Sequence, residues 1–167
     1  MRDMNNCEKL PELIELDDYS GVWEEYENEL YNIFKSSFID TKQYFQGKPI
    51  GIFTEAMYHG KEKTFWHIIS EGNNEYDRNP ELRRCERIAW IKPLIELLIC
   101  DKCTSIYKWK NKHRNKKYRY KLWCKKTNFI VILEERNKCF MLITAYIVKY
   151  KHSIEKLEKE YSISEKL

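Results

Sequence analysis

Three arginines and one histidine near the middle of the sequence are of the types that handle phosphate groups. Arg83, Arg84 and Arg87 lie in the segment R-R-C-E-R-I-A-W, and His67 lies in the earlier segment T-F-W-H-I-I-S. A guanidinium offers planar, paired donors to a phosphate, and an imidazole titrates near neutral pH. Together these residues could begin a phosphate-handling centre.

The segment that carries His67 is predicted to be a strand. Thr64–Ser70 is rich in aromatic and β-branched residues and ends at a cluster of turn-forming residues. Alternation would then place His67 on one face with Phe65 and Ile69. A lone strand histidine is more often structural, so a catalytic role requires that other candidates converge on it.

The arginines are predicted to lie on a helix that follows this strand. Pro80 suits the first helical turn, with Asn79 as the N-cap. At about 100° per residue, Arg87 falls near the middle of the apolar face of this helix, and Arg83 and Arg84 flank it. A guanidinium directed at the core must be paired or must serve a site.

A dense basic run covers Lys108–Lys121, with eight Lys or Arg residues, one histidine, three aromatic residues and no acid. On a β-hairpin, Arg119 and Lys121 would share one face, and Tyr118 and Tyr120 the other. Basic side chains neutralise phosphates and aromatic rings stack on bases, although the run also fits an ordinary soluble hairpin. The expected RNA-binding residues are Arg83, Arg84, Lys110, His113, Lys117, Arg119 and Lys121.

Two hydroxyl side chains lie near the end of the last predicted strand. Thr144 and Tyr146 alternate onto one face, which they would share with Phe140 and Leu142. Both hydroxyls could donate to one phosphate, although T-A-Y alone is ordinary strand sequence.

The cysteine pattern predicts neither a disulfide framework nor a metal centre. Cys100 and Cys103 form a C-x-x-C pair, but no second pair follows at zinc-finger spacing. We therefore expect reduced thiols in a cytoplasmic protein that requires no metal or other cofactor.

Charge is distributed unevenly along the chain. Of the 167 residues, the first 50 carry 5 basic and 11 acidic side chains, and the remainder carry 25 and 15. A basic body favours a polyanionic ligand, although two ordinary solvated faces would also fit. Since the sequence has no apolar run of about 18 residues and does not start with a basic and then apolar segment, we expect neither a membrane span nor export.

The order of predicted elements indicates an α+β fold. An acidic N-terminal helical extension (1–48) carries an apolar stripe for packing, with Ser20 as its N-cap. The Arg-bearing helix and four strand-like runs joined by short turns follow in a body domain (49–150), and a helical tail covers 151–167. Short connections between the strands predict an antiparallel meander, against which the helix would pack.

Over residues 50–150 the sequence resembles the phage-associated branch of the barnase–EndoU–colicin–RelE group of ribonucleases. The resemblance is carried by F-W-H-I-I, by R-R-C-E-R-I-A-W, and by F-I-V-I-L-E-E-R followed by C-F-M-L-I-T-A-Y. It implies a metal-independent endoribonuclease of toxin, phage or defence type that cleaves structured RNA, such as transfer RNA, to a 2′,3′-cyclic phosphate. His67 would be the acid or base, Arg87 the phosphate-stabilising cation, and Thr144 and Tyr146 the groups that orient the phosphate.

Other functions remain open. The chain could be a non-catalytic RNA- or DNA-binding module that uses the basic run, or an interaction protein that inhibits a host nucleic-acid enzyme. For a toxin-like ribonuclease, the acidic segment would either cover the basic face or dock a neutralising immunity protein. The second proton-transfer group and the oligomeric state are not determined by the sequence.

Overall fold

The computed structural model describes residues 10–96, 106–114 and 116–167. Cys100 and Cys103 lie outside the described residues. The helices are α1 (Trp23–Phe38), α2 (Lys63–Ile69), α3 (Leu82–Glu86), α4 (Ile91–Ile95) and α5 (Lys151–Ile163). Single turns of 3-10 helix cover Leu16–Tyr19, Tyr58–Gly60 and Ile88–Trp90.

The described part of the chain contains nine strands in two sheets. They are β1 (Tyr44–Phe45), β2 (Lys48–Gly51), β3 (Ser70–Glu71), β4 (Asn79–Pro80), β5 (Ile106–Lys112), β6 (Tyr118–Cys124), β7 (Phe129–Glu135), β8 (Phe140–Ile147) and β9 (Glu165–Lys166). Seven strands are ordered β1-β2-β8-β7-β6-β5-β9, and β3 pairs separately with β4. All pairs are antiparallel except β2–β8. The predicted α+β class and antiparallel meander (β5 to β8) are therefore confirmed.

The main sheet is covered by helices on both faces. On one face α1 buries Tyr26, Leu30 and Phe34, which recur at helical spacing, in the same apolar cluster as α2, α3 and α4. On the other face α5 packs Leu157 and Tyr161 against a second cluster. The packing role predicted for the N-terminal apolar stripe is confirmed. Every helix among the described residues is too short or too polar to cross a membrane.

The N-terminal helix begins later than expected. Ser20 does not cap α1 but ends the preceding 3-10 turn in a left-handed conformation, with φ of 52°. Val22 occupies the N-cap position without a side-chain hydrogen bond. The predicted N-cap was therefore wrong.

The predicted strand at Thr64–Ser70 is a helix, α2, for all but its last residue. Phe65, Ile68 and Ile69 are all buried, and their spacing of three and four residues places them on one helical face. Tertiary packing thus overrides the strand propensity of these side chains. His67 consequently does not share a strand face with Phe65 and Ile69.

The Arg-bearing helix begins at Leu82, two residues after the predicted start. Asn79 and Pro80 belong to β4, and the Glu81 carboxylate caps α3 by accepting from the backbone N–H groups of Arg83 and Arg84. The helix ends at Glu86, and a 3-10 turn follows at Ile88–Trp90. Because this turn interrupts the α-helical periodicity, the side chains after Glu86 do not continue the apolar face that the sequence predicted.

The last strand contains a β-bulge. Leu142 pairs with Leu133 and Thr144 pairs with Ile132, so Ile143 is an extra residue. A bulge reverses the alternation of side chains beyond it. Leu142 therefore packs in the α1 cluster and Tyr146 in the α5 cluster, and the shared face predicted for these residues was wrong.

Candidate functional site

Arg84 joins α2, α3 and β8 at one point. Its Nη1 donates to the carbonyl oxygen of His67 and to Thr144 Oγ1, both at 3.2 Å. The Thr144 hydroxyl in turn donates to the same carbonyl at 3.1 Å. The guanidinium carbon lies 5.1 Å from the centre of the Tyr146 ring, in a cation–π contact. Three sequence candidates and the backbone of a fourth therefore converge.

The Arg84 guanidinium is half-buried and has no ionic partner among the described residues. No carboxylate of the described residues lies within the 4.0 Å of an ion pair, and Nε and Nη2 make no hydrogen bond to these residues. Burial, followed by repulsion from Arg78, lowers the pKa of Arg84. Such an arrangement leaves both charge and donors for an external anion.

A cavity of about 410 Å³ opens beside Arg84. Two of its lysines are already neutralised, Lys149 by Glu81 at 3.1 Å and Lys121 by Glu160. The polar and aromatic residues that line it are Glu71, Glu81, Arg84, Lys121, Tyr146, Lys149, Tyr150, Ser153, Lys156 and Glu160. Within the described part of the chain, Arg84 and Lys156 are the cavity cations without an ion pair.

Two groups in this cavity are suited to proton transfer. Burial raises the pKa of the Tyr146 phenol, so it stays protonated at neutral pH. Its hydroxyl makes no hydrogen bond to another described residue and can donate to a ligand. Glu71 is exposed at the cavity wall, and no described side chain forms an ion pair with its carboxylate.

His67 contributes its backbone, not its imidazole, to the Arg84 centre. The ring does not line the cavity; its Nε2 lies 3.7 Å from Glu75 Oε1 and makes no hydrogen bond among the described residues. Burial, followed by repulsion from Arg78, lowers the pKa of the imidazole, which is therefore neutral at pH 7.

Arg87 occupies a different environment from the one predicted. Its Nη1 donates to Glu86 and to the carbonyl of Arg83, both at 3.0 Å, and its guanidinium lies 5.2 Å from the centre of the Trp90 ring. None of these groups lines the cavity, whereas Arg84 does. Arg83 is exposed.

The basic hairpin is formed by β5 and β6, and several of its cations have acidic partners from elsewhere in the chain. Lys110 pairs with Glu165 at 3.6 Å, and Arg119 pairs with the buried Glu134 at 3.2 Å. Like the Lys121 pair, these contacts reduce the free charge of the hairpin. The sequence of the run did not indicate these pairs, because the acidic partners lie in other parts of the chain.

The remaining hairpin candidates lie at its turn. Burial, followed by repulsion from Arg119, lowers the pKa of His113. The His113 N–H donates to the Lys117 carbonyl at 2.8 Å and closes the turn. The hairpin turn is thus a separate surface, because neither residue lines the Arg84 cavity.

A buried polar cluster on α1 had not been predicted. Glu27 is only 3% exposed and accepts hydrogen bonds from His59 Nδ1 at 2.9 Å, Trp23 Nε1 at 3.1 Å and Lys61 Nζ. The sequence did indicate that Glu27 is buried, because it lies three residues before Leu30 and therefore on the same face of the helix. Glu71, Tyr150 and Lys156 had no comparable signal, since the cavity forms only when distant elements meet.

Comparison of the chain with models of protein families, with curated proteins and with solved structures gives no match. Within the described residues, no group of three or more His, Cys, Asp or Glu side chains is arranged to hold a metal ion.

Proposed function

We propose that this chain is a metal-independent endoribonuclease and that the Arg84 cavity is its active site. The observation that carries the proposal is the half-buried Arg84 guanidinium, fixed through Nη1 and without a described carboxylate partner, beside the Tyr146 phenol. The basic body of the chain and the resemblance of residues 50–150 to metal-independent ribonucleases support the same function. Structured RNA, such as transfer RNA, is the proposed substrate class.

The proposed reaction is attack of a ribose 2′-hydroxyl on the adjacent phosphodiester. The Glu71 carboxylate accepts the 2′-hydroxyl proton, the O2′–P bond forms, and the P–O5′ bond breaks. The Tyr146 phenol protonates the departing 5′-oxygen, and the products are a 2′,3′-cyclic phosphate and a 5′-hydroxyl. A second proton exchange between the two side chains, through solvent, restores their starting states.

Arg84 stabilises the charge that develops on the phosphorane oxygens. Its fixed position is important because a preorganised cation in a partly dry site does not have to reorient during the reaction. Thr144 and the His67 carbonyl act as positioning groups, since both hold Nη1 and leave Nε and Nη2 for the phosphate. In this proposal Glu71 and Tyr146 transfer the protons. One of these two roles had been expected for the imidazole of His67.

The test is incubation of purified protein with total RNA in excess EDTA, followed by analysis of the RNA ends. Wild-type protein should leave 2′,3′-cyclic phosphates. We expect Arg84→Gln, Glu71→Gln and Tyr146→Phe each to reduce cleavage by about 10²–10⁴-fold, the range for losing an acid–base or electrostatic group. Arg84→Lys, which keeps the charge but not the paired donors, should retain part of the activity.

Lys92→Gln is the matched charge control. Lys92 lies on α4, and its ion pair with Glu96, at 3.9 Å, is exposed. Each variant is first compared with wild type by thermal unfolding, so that loss of folding is not mistaken for loss of catalysis. Full activity in Arg84→Gln, combined with inactivity in Arg87→Gln, would overturn the assignment of this site. Intact RNA with every protein would overturn the ribonuclease proposal itself.

A further inference from the structure

Tyr150 is an exposed aromatic ring at the rim of the Arg84 cavity. It lies three residues after the end of β8 and directly precedes α5, and 64% of its surface is accessible. Its ring stacks on the neighbouring His152, with the centroids 5.6 Å apart and the planes inclined by only 14°. No other aromatic ring of the described residues contacts Tyr150. Other tyrosines, such as Tyr44 and Tyr76, are also exposed, but they do not line this cavity, so the position of Tyr150 is what distinguishes it.

The cavity therefore combines two different kinds of group. Arg84, beside Tyr146, offers a cation for a phosphate, whereas Tyr150 at the rim offers a flat apolar surface. Lys149 lies between them in the sequence but is paired with Glu81. A volume of about 410 Å³ is within the range of small-ligand sites, so one nucleotide could place its phosphate and its base in the same cavity.

We propose that Tyr150 stacks on the base of the nucleotide whose phosphate is bound by Arg84, and that this nucleotide consequently lies in an unpaired part of the RNA substrate. This inference rests on the proposed function of the Arg84 cavity. A base within a duplex is covered by its neighbours on both faces, and a protein ring can stack on it only where the strand is unpaired. Because every base has a flat face, the site tolerates different sequences and selects loops, bulges and single strands over helices.

Binding is measured with 2′-O-methyl RNA, which lacks the nucleophilic hydroxyl and cannot be cleaved by the proposed reaction. The two probes are a fluorescently labelled single-stranded oligonucleotide and a perfect duplex of the same sequence. Loss of one base–aromatic stack weakens binding by about 5- to 150-fold. We expect Tyr150→Ala to bind the single strand more weakly than wild type by this factor, and Tyr150→Phe to bind it like wild type.

Tyr44→Ala is the matched control, because Tyr44 is also exposed (58%) but lies on β1, outside the cavity lining. It should bind both probes like wild type. Binding of the duplex, which depends on charge, should be the same for Tyr150→Ala and wild type. Equal single-strand affinity of Tyr150→Ala and wild type, equal losses for both probes, or no binding of the single strand would each overturn the inference.

Cleavage of unmodified RNA by the same proteins separates this inference from the proposed function. If wild-type protein cleaves RNA and Tyr150→Ala is unchanged in both binding and cleavage, the base-stacking role is wrong and the ribonuclease proposal stands. If wild-type protein cleaves nothing but its binding to the single strand requires Tyr150, the ribonuclease proposal is wrong and the base site stands.

Discussion

Glu27 offers the most direct test of how this fold is stabilised. Its carboxylate lies within the protein and is the principal ionic partner of Lys61, whose side chain is only 10% exposed. Replacing Glu27 by Gln preserves the shape but removes the charge. Lys61 would then keep the hydrogen bond from its Nζ to Asn28 Oδ1, at 3.0 Å, and a cation–π contact with the Tyr31 ring, at 5.6 Å, but no carboxylate partner among the described residues.

The expected loss is large because an ammonium group would remain buried without a counter-charge. Breaking a buried ion pair from one side costs about 3–5 kcal/mol. In a chain of this length each kcal/mol of lost stability lowers the thermal unfolding midpoint by roughly 2–4 °C, so this midpoint should fall by roughly 6–20 °C. The free energy of unfolding is measured in urea, with tryptophan fluorescence as the signal. An unchanged slope of this free energy against urea concentration shows that the unfolding reaction is the same in both proteins.

Two further proteins complete this test. Glu155→Gln removes an exposed carboxylate that lies 3.9 Å from Lys151, and such surface pairs contribute only about 0–1 kcal/mol. The double variant Glu27→Gln/Lys61→Met removes both charges of this buried pair and should regain most of the lost stability. A loss below about 1 kcal/mol in Glu27→Gln, or no recovery in the double variant, would refute the reasoning.

The same carboxylate should make stability depend on pH in a defined direction. Burial alone would raise the pKa of Glu27, but hydrogen bonds from Lys61, His59 and Trp23 more than offset this, and the pKa lies below its ordinary value of 4.5. Folding therefore favours the charged form. The contribution is complete above pH 4.5 and is lost as the pH falls through the lower folded-state pKa. The stability difference between wild type and Glu27→Gln should shrink correspondingly below pH 4.5. A constant difference at acidic and neutral pH would contradict this.

Three other predictions concern local packing. Gly72→Ala should destabilise the protein measurably in urea, because φ is +156° and a Cβ would lie 2.6 Å from the carbonyl oxygen of Asp77. Burial raises the pKa of Cys85 to about 12, so mass spectrometry after iodoacetamide treatment at pH 8 should find Cys139 labelled and Cys85 unlabelled until unfolding. Leu157→Ala should cost about 2–5 kcal/mol of unfolding free energy, since it removes the buried leucine by which α5 packs on the sheet.

The main-sheet meander was predictable from the sequence because its signals are local. Short turns between β-branched runs define β5 to β8, and consecutive strands joined in this way pair antiparallel. The buried stripe of α1 was also visible, since Tyr26, Leu30 and Phe34 recur at helical spacing.

The site was less predictable because it depends on events that propensity does not encode. Residues 64–69 have strand propensity but bury Phe65, Ile68 and Ile69 on one helical face. The Glu81 cap and the 3-10 turn after Glu86 decide which arginine faces the cavity, and no apolar pattern indicates either. The bulge at Ile143 has the same effect on the last strand, because one extra residue transfers the following side chains to the opposite face.

Burial of both faces of the main sheet has a consequence for how the chain behaves before it is folded. The central strand β7 begins F-I-V-I-L, and each of these five residues is buried. In isolation such a segment has the features of an aggregation-prone cross-β sequence: strong strand propensity, no charge and no proline. It is followed by Glu134 and Glu135 and preceded by Lys125 and Lys126, which act as charged gatekeepers on either side. During synthesis these charges oppose aggregation of the segment until β6 and β8 pair with its edges and the helices cover its faces.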